Sequence, residues 1–167
     1  MGTVTIHNYH FPIHFSYKGW NVEIIDKTGF FSMKDLKVRV IIEVAASNLA
    51  SDVSKNYALL RQMIAIEENK NKQGYEPYLT EDDKQKIFQD SYNRAYQHYI
   101  KIANDFAKNK GKHDFNIGVN GGMMDRFFGQ NISATEKACN QVIEYIDKNL
   151  GDAGAEFNKF VNYKKEI

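Results

Sequence analysis

A single cysteine, Cys139, stands in a chain of 167 residues. No intrachain disulfide can form, which fits a reducing compartment and fits a secreted disulfide scaffold badly. Prolines number 2 and glycines 11, so few breakers interrupt the chain, and neither a low-complexity tract nor an internal repeat is present. No apolar run approaches the ~18 residues that a membrane helix needs. The opening stretch Met1 to His7 lacks a basic region followed by an apolar one, the pattern of a signal peptide. These absences predict a soluble, cytoplasmic protein without a membrane partner. Charge of one sign is also lacking: 22 Lys and Arg face 21 Asp and Glu, a formal net charge of +1. A dedicated polyanion binder would be strongly basic, so nucleic acid is the less favoured partner.

Catalytic motifs are missing as well. There is no Gly-x-Ser-x-Gly elbow, no His-Glu-x-x-His helix, no paired-cysteine zinc motif and no EF-hand loop. No cofactor is expected, and the balance of these readings leans away from an enzyme. What the chain does have is an ordinary globular composition, 43% apolar and 26% charged. At this length one core suffices, so the expectation is a single α+β domain over 1–167.

The first quarter alternates as strands do. Val4 and Ile6 oppose Thr3 and Thr5; Phe11, Ile13 and Phe15 oppose Pro12, His14 and Ser16; Trp20, Val22 and Ile24 share one side. Val38, Val40, Ile42 and Val44 oppose Lys37, Arg39, Ile41 and Glu43. Three to four antiparallel strands over about 3–45 follow, with Pro12 at an edge or bulge because it cannot donate to a ladder. The period then lengthens. Leu49, Val53, Tyr57, Leu60 and Ile64 mark a helix over about 49–68, with Ser47 or Ser51 as its cap. A second helix spans about 81–109, opened by Thr80 and the acidic run Glu81 to Asp83, and closed by Gly111. Asp114 to Val119 reads as a short strand. Ser133 and Glu136 form a capping box for a helix over 133–150, stopped by Gly151, and a last helix covers 153–163. Strands first and helices afterwards is the α+β order.

Several residue groups qualify as sites. His7, His10 and His14 are candidate metal ligands, although Pro12 divides them and no second cluster completes a coordination shell. Cys139 falls on the apolar stripe of its helix with no histidine after it, which is the pattern of a structural thiol. Gly118 to Gly122 with Arg126 could cradle an anion, yet Asn120-Gly121 is equally a tight turn. Lys108, Lys110 and Lys112 beside Tyr92, Tyr96 and Tyr99 could hold a nucleic acid by charge and stacking. His98, His113 and Asp114 could serve a small metal-independent nuclease or other hydrolase as acid and base.

The feature ordinary structure explains least well is the apolar content of two glycine-flanked segments. One holds Phe30, Phe31 and Met33; the other holds Met123, Met124, Phe127 and Phe128. Such side chains form either an adaptable docking surface or a cover over the sheet. The functional expectation is a non-enzymatic module, an adaptor, inhibitor or immunity-type protein, that docks a protein partner through these segments.

Overall fold

Two short segments meet in a two-residue turn at Lys18 and Gly19, and from that turn the sheet is built. Both residues have positive φ, 48° and 81°, as the type I′ hairpin turn requires. Strand β1 (Ile13–Tyr17) enters it and β2 (Trp20–Asp26) leaves it. In this computed structural model residues 10–28, 35–70, 79–120 and 132–161 are described. The remaining elements are β3 (Asp35–Val44), α1 (Ala46–Lys70), α2 (Glu81–Lys110) and β4 (His113–Asn120). They are followed by α3 (Ile132–Tyr145), a π-helical turn (Ile146–Leu150) and α4 (Ala153–Phe160).

The fold is α+β. The four strands form one antiparallel sheet in the order β1-β2-β3-β4. The predicted alternation holds: Trp20, Val22, Ile24, Val38, Val40, Ile42 and Val44 are buried, with Trp20 opposite Val44, Val22 opposite Ile42 and Ile24 opposite Val40. The sheet is not wholly N-terminal. Its fourth strand arrives only after two long helices and pairs with β3 from Asp35↔Asn120 to Ile42↔His113. Local alternation marks β4 as a strand but carries no information about a partner some 75 positions away. The strand expected over Thr3–Asn8 lies outside the described residues.

By its contacts the chain divides into two compact units, 1–45 with 107–155 and 46–106 with 156–167. In the first, α3 lies on β3 and β4 and contributes Ala138, Cys139 and Val142 to the buried face, and Ile146 of the π-helical turn is buried after them. Burial pushes the Cys139 thiol up to about 11, with the Glu136 carboxylate adding to it. That thiol is a core residue, and thiolate chemistry there is disfavoured. In the second unit, α1 and α2 run antiparallel. Ser51 Oγ and Tyr92 Oη share a 2.9 Å hydrogen bond, and Gln62 Nε2 donates to the Lys84 carbonyl. Phe106 of α2 packs on Phe157 of α4 with ring centroids 5.3 Å apart.

The ends of the helices follow capping chemistry with three corrections. Thr80 and Asp83 exchange hydrogen bonds, the Asp83 N–H donating to Thr80 Oγ1 and the Thr80 N–H to Asp83 Oδ2, so α2 opens with a capping box. Helix α1 starts at Ala46, which places both Ser47 and Ser51 inside it rather than at its cap. Helix α3 begins at Ile132, ahead of the expected Ser133. It also gives way at Ile146 to a wider turn, closed by the Gly151 N–H donating to the Ile146 carbonyl. Gly151, with φ of 75°, ends that turn as expected.

Candidate functional site

The two ends of the sheet are built differently, and the candidate residues divide between them. At the hairpin end, Tyr17 Oη and Lys18 Nζ both donate to the carboxylate of Asp147 on the π-helical turn, at 2.9 and 2.7 Å to Oδ1. Trp20 Nε1 donates to the Gly151 carbonyl, and the Gly154 N–H donates to the Lys18 carbonyl. Gly19 packs so closely here that a Cβ on it would lie 2.5 Å from the Gly154 nitrogen. The sequence signals Gly19 as a turn but gives no sign of Asp147 as its partner. Tyr17's hydroxyl is raised above the ordinary tyrosine range by burial first and then by its hydrogen bond to Asp147. The same carboxylate raises the Lys18 ammonium. This end is fastened to the π turn and to the start of α4.

At the other end, β2 runs out through a turn pinned to β3. The Thr28 N–H donates to Asp26 Oδ1, Thr28 Oγ1 accepts from the Lys37 N–H, and the Lys27 N–H donates to the Lys37 carbonyl. The chain leaves this described turn at Thr28 and re-enters the sheet at Asp35. It leaves again from β4 at Asn120 and returns at Ile132. Asp35 and Asn120 are register partners. The two Phe- and Met-bearing segments are thus attached to neighbouring positions at one end of one sheet. Phe30, Phe31, Met33, Met123, Met124, Phe127 and Phe128 themselves lie outside the described residues, as do Arg126 and His7.

His113 and Asp114 do not share a face. His113 and Asp114 are consecutive in β4, so the pleat sends them to opposite faces. The His113 ring packs edge-on against Trp20, with centroids 5.8 Å apart. Asp114 is exposed on the other face, where it binds Arg39 of β3 through Nε at 2.9 Å and through a second, shorter contact. That guanidinium holds the Asp114 carboxyl below the usual range. His98 belongs to the other unit and packs edge-on against Tyr99. His14 is exposed and lies 3.5 Å from Glu23 across the β1–β2 ladder, whereas His10 precedes the strand. Among the described residues no group of three or more His, Cys, Asp or Glu is placed to hold a metal ion.

The nucleic-acid candidates are likewise divided. Tyr99 is buried, and Tyr92 is stacked between Phe88 and Tyr96 at 6.3 and 6.0 Å while its hydroxyl is held by Ser51. Lys108 and Lys110 occupy the last turn of α2, where positive charge suits the helix C-terminus, and Lys112 follows it. Exposed apolar side chains that were not singled out from the sequence are Leu59, Met63 and Phe160, the last 68% accessible. Leu59 and Met63, four residues apart, fall off the stripe Leu49 to Ile64, which is the signal that could have found them. No described helix is long and apolar enough to cross a membrane. Comparison with protein-family models, with curated proteins and with solved structures finds no match to this chain.

Proposed function

We propose that this protein is a non-enzymatic interaction module that docks a protein partner at the end of the sheet from which residues 29–34 and 121–131 depart. The observation that supports it is the pairing of Asp35 with Asn120, which attaches two separately encoded Phe- and Met-rich segments side by side. The points of attachment are far apart in sequence and adjacent in the sheet, and flexible apolar side chains suit an adaptable contact. The hydrolase alternative draws no comparable support, because His113 and Asp114 face opposite ways and Asp114 is held by Arg39.

The test is capture of a partner by the tagged full chain from a lysate of its source, with nuclease treatment. It is run beside a variant carrying Phe30→Ala, Phe31→Ala, Phe127→Ala and Phe128→Ala. One stoichiometric protein that survives nuclease and is lost by the variant is the expected result. Retention of that protein by the variant, or recovery of nucleic acid alone, would overturn the reading.

A further inference from the structure

The two edges of the sheet are unequally guarded. Strand β1 is short, Ile13–Tyr17, is preceded by Pro12 and is followed by Lys18. A short strand flanked by proline and lysine is how proteins discourage pairing along an edge. Strand β4 is longer, His113–Asn120, and contains neither proline nor lysine, its one flanking lysine being Lys112 before it. Its one carboxylate, Asp114, is already neutralised by Arg39 of the neighbouring strand. No described strand pairs with its outer side. On the packed face Phe115 and Ile117 are only half-buried, while their register partners Val40 and Val38 are fully covered. Phe115 packs on Tyr145 of α3 with ring centroids 4.7 Å apart, so the apolar layer runs to the margin of β4 and stops there.

We infer that β4 pairs antiparallel with β4 of a second copy of this chain. The strand is complementary to itself. With Ile117 on the two-fold axis, Phe115 faces Val119 of the other copy on the packed side. On the solvated side Asn116 faces Gly118 and Asp114 faces the Asn120 amide. Apolar meets apolar, no like charges meet, and the aromatic–aliphatic pair occurs twice, as a two-fold interface requires. A shift by one residue would set Phe115 and Ile117 against the polar face, so the periodicity restricts the register. A single strand pair buries less than the ~800 Å² per partner of a stable interface. The association is therefore reversible and dependent on concentration, and it is independent of the docking end proposed above.

The experiment is sedimentation velocity of the full chain over a concentration series reaching about 1 mM, where weak association is populated. The weight-average mass is expected to climb from 19.3 kDa towards twice that value. The variant Asn116→Glu with Gly118→Glu sets carboxylates against carboxylates across the seam. It leaves the packed face alone: nothing lies within 4 Å of a Cβ at Gly118, and Arg39 and Lys37 stand beside the two positions on β3. This variant is expected to remain monomeric with unchanged circular dichroism. In the otherwise unaltered chain, Ile117→Cys is expected to form a disulfide-linked dimer on oxidation, since Cys139 is buried. A wild-type mass that stays at the monomer value throughout would overturn the inference. So would a Glu variant that associates as the wild type does, or an Ile117→Cys chain that associates without cross-linking.

Discussion

The hairpin end of the sheet and the end opposite it share the same strands, yet one is fastened and the other is a point of departure. At the fastened end a turn of two positive-φ residues, a tyrosine, a lysine and a tryptophan all reach the segment 147–154. At the other end hydrogen bonds pin the exit of β2 to β3, and the chain then departs twice between neighbouring positions. The contacts that fasten the sheet lie at one end, and the docking proposed above would use the other. Each assignment can be broken separately.

The largest effect is expected at Gly19. An alanine there needs positive φ and places its Cβ 2.5 Å from backbone that has no flexible side chain to yield. We expect Gly19→Ala to cost about 3 kcal/mol in a denaturant titration, through strain and the loss of the close approach. Gly111 and Gly151 have similar φ but nothing within 4 Å. Alanine at Gly111 should cost only about 1 kcal/mol, whereas Gly151, with ψ of −161°, holds a conformation essentially reserved for glycine and should cost about 1–3 kcal/mol through backbone strain alone. A loss at Gly19 no larger than that at Gly111 would mean that backbone conformation alone matters, and that the close approach of Gly19 to Gly154 contributes nothing.

A smaller effect is expected at Tyr17, and pH sharpens it. The Tyr17 and Lys18 values are both raised in the folded chain, so folding favours both protonated forms. Their contribution is full below the ordinary values of 10.0 and 10.5 and is lost as pH rises through the higher folded-state values. Tyr17→Phe should cost about 1 kcal/mol at neutral pH by removing one hydrogen bond. It should also flatten the decline of the melting temperature above pH 10. An unchanged alkaline decline would show that the Tyr17 hydrogen bond to Asp147 adds nothing to stability, since Lys18 still pairs with Asp147 in this variant.

What the sequence made legible follows from range. Alternation in β3 and the 3.6-residue period in α2 are local, and both elements appear where those patterns place them. Thr80, Gly111 and Gly151 act at the ends they mark, because caps and stops are chemistry of neighbouring residues. The contacts that define the two ends are not local. Tyr17 meets Asp147 and Asp35 meets Asn120, and no spacing rule connects such positions. His113 and Asp114 illustrate the converse: adjacency in sequence suggested a joint site, and the pleat separates them. The π turn was missed because Ile146 and Leu150 keep the apolar spacing of an α-helix, so the wider winding leaves no mark on composition.

The smallest stability effect is expected where the functional effect is largest. Phe30, Phe31, Phe127 and Phe128 lie in the two segments that join the sheet at its departing end, and the docking proposal requires them to serve a partner rather than the core. A buried phenylalanine truncated to alanine costs about 3–5 kcal/mol, and whole domains are stable by only about 5–15 kcal/mol. Four such losses in a core would leave no folded protein. Four losses from a docking surface should each stay within about 0.5 kcal/mol. The fourfold alanine variant is therefore expected to keep its circular dichroism and to melt within a few degrees of the wild type while losing its partner. Collapse of the fold would place these side chains over the sheet and would remove the docking end from the comparison. Unchanged stability with lost binding would divide the work of the sheet between its ends.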